Sequence, residues 1–167
     1  MRYTLTQYWT KCQLVIFEEA KIYLVSWIKN FLDKPHSAFN DVSPCPFARK
    51  SLEEDKVIFL SSNVNLFPKT VDILNYDVLV YIFTDDISSY QLEKMTETFN
   101  ANNPGLVALE DHPDAEEKIQ DCVLNNGEYS VIFIQSREKL DYYRQKLKNT
   151  GYYDNWSEDY LNDVINR

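Results

Sequence analysis

Glycine is scarce in this chain, with three glycines among 167 residues. A Gly-rich β-barrel and a loop that cradles phosphate groups both normally need more of it. The sequence also contains neither a GxGxxG nor a GxxxxGK[ST] motif. The common nucleotide-binding folds therefore lack their usual sequence signature here.

Basic residues are also in the minority, since 17 Lys and Arg stand against 26 Asp and Glu and give a formal net charge of −9. A protein that binds a nucleic-acid duplex normally carries a basic face. Because the chain has no Lys/Arg-rich run, the sequence predicts no nucleic-acid partner. Two interpretations of the acidity stay open. One is ordinary solubility, and the other is an acidic mimic of nucleic acid that binds a nucleic-acid-binding protein.

Cysteine is sparse as well, and Cys12, Cys45 and Cys122 form neither a CxxC pair nor a zinc-knuckle spacing. Reduced thiols in a cytoplasm are the default for such a set. No apolar segment followed by a small-residue cleavage site begins the chain, so no secretory signal is evident. Charged residues interrupt the apolar stretch 12–32 and exclude a simple membrane span. We therefore predict a cytoplasmic protein without a membrane partner.

The N-terminal part of the chain is rich in apolar residues at spacings of three and four, which predicts one long helix over 5–33. Lys34-Pro35 is expected to end it. A stripe so rich in aromatic residues is typical of a buried core face, and a helix that binds a partner or a membrane surface is the alternative. The members of the stripe are Leu5, Tyr8, Trp9, Cys12, Val15, Ile16, Ala20, Tyr23, Leu24, Trp27, Ile28, Phe31 and Leu32.

Strand-like and helix-like segments alternate through the rest of the chain. This alternation predicts an α+β fold, with a sheet of about four strands covered by helices in a ferredoxin-like layer to which the N-terminal helix is added. A doubly wound parallel α/β sheet is the alternative. The predicted strands are 57–60, 77–84, 106–109 and 129–134; the predicted helices are 46–54, 88–103, 113–127 and 137–148, with a helical turn at 68–74.

We predict a single domain that spans 1–167. It consists of the N-terminal helix 5–33, a Pro-containing linker 35–45, an α/β core 46–150 and an aromatic helical tail 151–167.

The segment SPCPFARK at 43–50 is the part of the chain that folding alone explains least well. Pro46 suits the first position of a helix, which would put Cys45 at the N-cap. The helix dipole and the cations Arg49 and Lys50 would then favour the thiolate. Cys45 is therefore a candidate nucleophile or anion-pocket residue, expected to be the most reactive of the three cysteines. The alternative is a small buried side chain in a rigid turn.

His112 precedes Pro113 at the end of a predicted strand, and a helix is expected to follow. A histidine at a helix N-terminus is held neutral and is usable as a base. The alternative is a solvent-facing cap. The predicted catalytic residues are Cys45 and His112, and the predicted ligand-binding residues are Arg49 and Lys50, which would hold a carboxylate or phosphate. The spacing matches no established metal-ligand pattern, and we predict no cofactor.

The motif Cys-Pro-Phe-Ala-Arg-Lys at 45–50 follows a long helix that contains Trp27 and precedes a strand. It resembles the Cys-Pro-Phe-Ala signature of an uncharacterised bacterial family of small cytoplasmic α/β proteins. The His112-Pro113 pair is similar to that family too, and the resemblance covers about residues 20–115. Since the family has no established reaction, the resemblance implies a candidate site and no activity.

Two functions follow from these patterns. The first is an enzyme or a small-anion-binding protein that uses the cysteine turn and the His-Pro strand end. The alternative is a non-enzymatic, acidic protein-interaction module, such as a viral or regulatory accessory protein. A concave pocket with Cys45 and His112 within about 6 Å of each other would favour the first.

Overall fold

A computed structural model of the chain describes residues 5–166, with side chains from residue 11 to residue 165. The strands of the described chain are short, as is usual in globular proteins. They are β1 (Val57–Ser62), β2 (Val78–Phe83), β3 (Leu106–Asp111), β4 (Lys118–Ile119), β5 (Cys122–Val123) and β6 (Val131–Ser136).

Four of these strands form one mixed sheet in the spatial order β1-β2-β6-β3. β1 pairs with β2 in parallel, and β6 runs antiparallel to β2 and to β3. The predicted α+β fold with a four-stranded sheet covered by helices is confirmed. The doubly wound parallel alternative is wrong, because β6 lies inside the sheet and runs against both neighbours.

Helices surround this sheet. A capping box begins the third helix, as predicted: Gln91 N donates to Ser88 Oγ at 3.3 Å, and Ser88 N donates to Gln91 Oε1 at 3.2 Å. The helical turn predicted at 68–74 is absent, and the loop 63–77 joins β1 to β2 where a ferredoxin-like layer has a helix. The helices are α1 (Leu5–Trp27, continued by a π-helix over Ile28–Leu32), α2 (Ala48–Glu53), α3 (Ser89–Asn102), α4 (Arg137–Leu147) and α5 (Glu158–Asn166).

The helix predicted at 113–127 is wrong, since β4 and β5 form a two-stranded hairpin there. Gln120 adopts the left-handed backbone conformation at the turn, with φ of 54°. After the hairpin, Asn126 Oδ1 accepts hydrogen bonds from the backbone N–H groups of Glu128 and Tyr129. Such local side-chain-to-backbone bonds favour turns over a continued helix.

Apolar side chains cover both faces of the sheet, because successive residues of a strand point to opposite sides. On one face α3 packs Leu92 into a cluster with Ile134, and both are fully buried. On the other face α1 packs Ala20 and Leu24 into a cluster with Val80. β2 is covered on both sides, which agrees with its continuous apolar sequence.

Only part of the predicted helix stripe is buried. Ala20, Leu24 and Ile28 are buried, whereas Cys12 and Val15 of the same stripe are exposed. A 23-residue helix is about 35 Å long, and a six-residue strand spans only about 20 Å. α1 therefore extends beyond the sheet. The part of the stripe on residues 5–10 lies outside the described side chains.

The segment predicted as a linker, 35–45, belongs to the core. Ala38 and Phe39 are fully buried in a 3₁₀ turn over Ser37–Phe39, and they form a third cluster with Tyr152 of the tail. The ring centroids of Phe39 and Tyr152 lie 5.0 Å apart. The aromatic tail thus packs on the domain, although its helix, α5, begins only at Glu158.

Candidate functional site

Cys45 lies in a turn between the π-helix and α2. Its backbone N–H donates to Leu32 O at 2.9 Å, and its carbonyl oxygen accepts from Ala48 N at 3.2 Å. The N-cap of α2 is Phe47, so the prediction that Cys45 caps this helix is wrong. Since α2 has only six residues and starts three positions later, it acts on the sulfur through the backbone N–H groups of Phe47 and Ala48 at its start and not through a long helix dipole.

Burial raises the pKa of the Cys45 thiol. Hydrogen bonds from the backbone N–H groups of Phe47 and Ala48 oppose this rise, and the negative charge of Asp33 adds to it. A pKa above the ordinary value of 9.0 disfavours the thiolate at neutral pH, because desolvation outweighs the local donors. The reactivity of Cys45 stays a prediction.

The two predicted anion-binding cations are already paired with carboxylates of this chain. Arg49 Nε lies 2.8 Å from Glu53 Oε1, and Arg49 Nη1 lies 3.2 Å from Asp33 Oδ2. Lys50 lies 3.7 Å from Glu54, and its side chain is 75 % exposed. Neither cation lines the cavity beside Cys45. They form surface ion pairs one helical turn away from it.

His112 is buried, and both of its ring nitrogens are engaged. Nε2 lies 2.8 Å from Ile87 O, and Nδ1 accepts from Asp114 N at 3.0 Å. This pattern assigns the proton to Nε2, with Nδ1 as the acceptor. Because the β4–β5 hairpin follows in place of a helix, the predicted helix dipole at His112 is wrong. The imidazole instead joins the loop before α3 to the end of β3.

Cys45 and His112 do not share a pocket. Cys45 lies at the end of the sheet where β1 and β2 begin, beside Val57 and Val78. His112 follows the last residue of β3, which lies at the opposite end of the strands. It lines a different cavity of about 280 Å³, together with Glu93 and other residues. A catalytic role of either residue stays a prediction. Such a role would not involve Cys45 and His112 acting together at one site.

A cavity of about 270 Å³ lies next to Cys45 on the α1 side of the sheet, and we call it the Cys45 cavity. Its walls are mainly apolar and aromatic, and Val164 and Ile165 of α5 close one side. Phe47 and Tyr143 stack in its wall with ring centroids 3.9 Å apart. Other lining residues are Trp27, Ile28, Leu32, Ala48, Val80, Leu109, Phe133, Leu140, Leu147, Tyr152, Tyr153 and Trp156.

A few polar groups interrupt this apolar lining. Asp77 accepts from Lys139 Nζ and from Ser51 Oγ, each at 2.8 Å. Gln135 lines the cavity, and no hydrogen bond to its side-chain amide is made within the described chain. Arg144 also lines it and is 9 % exposed. The cavity thus contains one satisfied ion pair, one free amide and one buried cation.

Arg144 is not among the site residues predicted from sequence, although its position in the helix carries a signal. Leu140 and Leu147 define the apolar face of the helix predicted at 137–148. Arg144 lies four residues after the first and three before the second, which puts it on the same face. A cation on the inner face of a helix is unusual and marks either a buried pair or a binding site.

Within residues 5–166, no group of three or more His, Cys, Asp or Glu is arranged to hold a metal ion. No helix in this described range is long and apolar enough to cross a membrane.

Comparison of the chain with protein-family models, with curated proteins and with solved structures finds no match. The resemblance carried by Cys45-Pro46-Phe47-Ala48 stays a prediction. The geometry of the Cys45 cavity is therefore the main indication of function.

Proposed function

We propose that this protein is a cytoplasmic binding protein that holds a small, mainly apolar molecule in the Cys45 cavity. The observation that carries the proposal is the cavity itself, a half-open space of about 270 Å³ lined by residues of α1, the sheet, α4 and the tail. Small-molecule sites are typically concave and mainly apolar, with a few polar groups that orient the ligand, and the Cys45 cavity has this form. The three free cysteines favour a reducing compartment.

The volume of the cavity indicates how large a part of a ligand it can hold. An apolar cavity of about 150 Å³ binds benzene, which has six carbon atoms. By proportion, a cavity of about 270 Å³ holds roughly 11 non-hydrogen atoms. A molecule with one aromatic ring and a short side chain has this size. The aromatic walls formed by Trp27, Phe133 and Tyr143 suit such a ring.

Binding is supported better than catalysis by the state of the two candidate catalytic groups. Burial raises the pKa of the Cys45 thiol, so its nucleophilic form is disfavoured. His112 has both ring nitrogens engaged and lines another cavity. A cysteine–histidine reaction requires the two groups within hydrogen-bond reach of each other.

The proposal is tested with 3-phenylpropan-1-ol, a neutral molecule of ten non-hydrogen atoms. At roughly 0.5 kcal/mol per atom, its Kd is expected on the order of 0.1 mM. Titration is followed by calorimetry and by tryptophan fluorescence, since Trp27 and Trp156 line the cavity. Ala48→Phe fills part of the cavity and is expected to weaken binding about tenfold or more. Ala101→Phe, an exposed position on α3, is the matched control and is expected to leave the affinity unchanged.

Two results would overturn the proposal. One is the absence of saturable binding to the wild type. The other is equal binding by the Ala48→Phe and Ala101→Phe variants. In either case the acidic interaction module becomes the preferred function.

A further inference from the structure

We infer that the ligand of the Cys45 cavity is an apolar carboxylic acid whose carboxylate is bound by Arg144. This inference rests on the proposed function and names the chemical class of its ligand. It transfers the predicted anion site from Arg49 and Lys50, which are paired at the surface, to a cation that sequence analysis did not single out.

The first support is the burial of the Arg144 charge. Its side chain is 10 % exposed, and the only carboxylate paired with it in the described chain is Asp141, at 3.4 Å. The Asp141 side chain is itself 56 % exposed, so it pairs with Arg144 from the solvent side. A buried charge is costly unless it is well paired. A second carboxylate that enters from the cavity would improve that pairing.

The second support is the unused hydrogen-bonding capacity of the guanidinium. Arginine has five N–H donors in a planar fork. In the described chain Arg144 donates from Nη2 to Val164 O at 2.6 Å and from Nη1 to Asp141 Oδ1 at 3.4 Å. The remaining donors are enough for a carboxylate, which arginine often binds through two parallel hydrogen bonds.

The third support is the free amide of Gln135. Gln135 lies on the α1 face of β6, two residues after Phe133, and lines the same cavity as Arg144. Its side chain makes no hydrogen bond within the described chain. In a mainly apolar cavity, a few polar groups of this kind fix the orientation of a ligand. The amide is a second donor for a polar head group.

A purely structural role of Arg144 is the competing explanation. Its bond to Val164 O, in the last turn of α5, satisfies a carbonyl group that has no partner within that helix. This role predicts that Arg144 affects the stability of the protein and not its choice between ligand head groups. The preference for an acid over a neutral analogue therefore separates the two explanations.

The test compares three probes that share a phenylpropyl body: 3-phenylpropanoate, 3-phenylpropan-1-ol and 3-phenylpropylamine. Calorimetry on the full chain at neutral pH is expected to show the acid binding at least tenfold more tightly than the alcohol, and the amine binding more weakly than the alcohol. The acid would form a charge-assisted hydrogen bond with Arg144, whereas the protonated amine would be repelled by the same guanidinium. The ranking is measured on the wild type and needs no variant to fold.

Variants then assign the preference to Arg144. Arg144→Gln is expected to bring the ratio of acid to alcohol affinity to within about twofold of one, and Arg144→Lys is expected to retain part of it. Lys146→Gln removes the same charge from an exposed position of α4 that does not line the cavity, and should keep the full ratio. Circular dichroism checks that each variant is folded.

The inference fails if the wild type binds the acid no more tightly than the alcohol. It also fails if folded Arg144→Gln keeps the preference or if Lys146→Gln loses it. If the alcohol still binds in these cases, the proposed function remains supported and only the assignment of an acid to Arg144 is wrong. If none of the three probes binds, the proposed function fails and the inference fails with it.

Discussion

The hydroxyl group of Tyr152 donates a hydrogen bond to the carbonyl oxygen of Pro44, 108 residues earlier in the chain. Both residues are buried, and both line the Cys45 cavity. Burial raises the pKa of Tyr152, and the neighbouring Cys45 adds to the rise, so the phenol stays protonated and remains a donor. This bond holds the aromatic tail against the cysteine turn and sets the shape of the cavity between them.

Tyr152→Phe removes this bond with little change in volume. The carbonyl oxygen of Pro44 then lacks a partner in a buried position, and the free energy of unfolding is expected to fall by about 1–3 kcal/mol. Urea unfolding followed by circular dichroism measures the loss. Tyr142→Phe, at a tyrosine that is 58 % exposed, is the control and should change stability by less than about 0.5 kcal/mol. Equal stability of the two variants would mean that the bond contributes nothing.

Cys12 is expected to be the first cysteine to react, which reverses the order expected from sequence. Cys12 is exposed on α1. Burial raises the pKa values of Cys45 and Cys122, so less of each is present as the reactive thiolate. Brief labelling with iodoacetamide at neutral pH, followed by peptide mass spectrometry, gives the order. In urea the three rates should converge. Faster labelling of Cys45 in the native protein would contradict the burial argument.

The strands could be predicted from sequence because their signal is local. The apolar run 77–84 is covered by the observed strand Val78–Phe83 to within one residue at each end. Its length and its β-branched residues are sufficient to identify a strand that is buried on both faces. The capping box at Ser88 is local in the same sense, since its two members are three residues apart.

The features that differ from the sequence predictions depend on neighbours that are distant in sequence or on competing local hydrogen bonds. The exposure of Cys12 follows from the length of the sheet beneath α1, which the helix sequence does not encode. The raised pKa of Cys45 follows from burial, which the residues of the turn do not encode. At 113–127 the apolar spacing fits a helix, but the bonds of Asn126 and the turn at Gln120 favour a hairpin. Residue spacing alone does not resolve that competition.

Two neighbouring positions of α1 are expected to differ sharply in their contribution to stability. Leu24 is 1 % exposed and packs on the sheet, whereas Ile22 is 70 % exposed. Leu24→Ala is expected to lower the free energy of unfolding by about 2–5 kcal/mol, and Ile22→Ala by less than about 0.5 kcal/mol. Chemical unfolding of both variants measures this. Similar losses would show that α1 does not pack through the Leu24 face in solution.

Asp111 and Asp77 are expected to give stability opposite dependences on pH. Asp111 Oδ2 accepts from the backbone and side-chain N–H groups of Asn126, both at 2.9 Å, whereas its buried Oδ1 has no partner in the described chain. Burial raises the pKa of Asp111, and the hydrogen bonds from Asn126 and the neighbouring His112 oppose the rise. For Asp77 burial also raises the pKa, but hydrogen bonds from Lys139 and Ser51 outweigh it and lower the pKa.

The sign of each effect follows from which state of the protein binds the proton more tightly. The folded state binds it more tightly at Asp111, so the ionised carboxylate lowers stability as the pH rises above the ordinary value of 3.8. The melting temperature of Asp111→Asn minus that of the wild type should therefore be more positive at about pH 8 than at about pH 4. At Asp77 the folded state binds the proton less tightly, so its stabilisation is present above 3.8 and is lost in more acidic solution.

Asp77→Asn is thus the matched variant for Asp111→Asn. It is expected to lower the free energy of unfolding by about 1 kcal/mol at neutral pH, which lowers the melting temperature by roughly 2–4 °C for a chain of this size. That cost should stay constant down to about pH 4 and shrink toward pH 3, because the wild-type carboxylate then begins to lose its charge. Melting curves of the wild type and both variants, measured from about pH 3 to about pH 8, test both pH dependences. Parallel curves for the wild type and Asp111→Asn above pH 4 would show that the carboxylate of Asp111 does not resist ionisation in the folded protein.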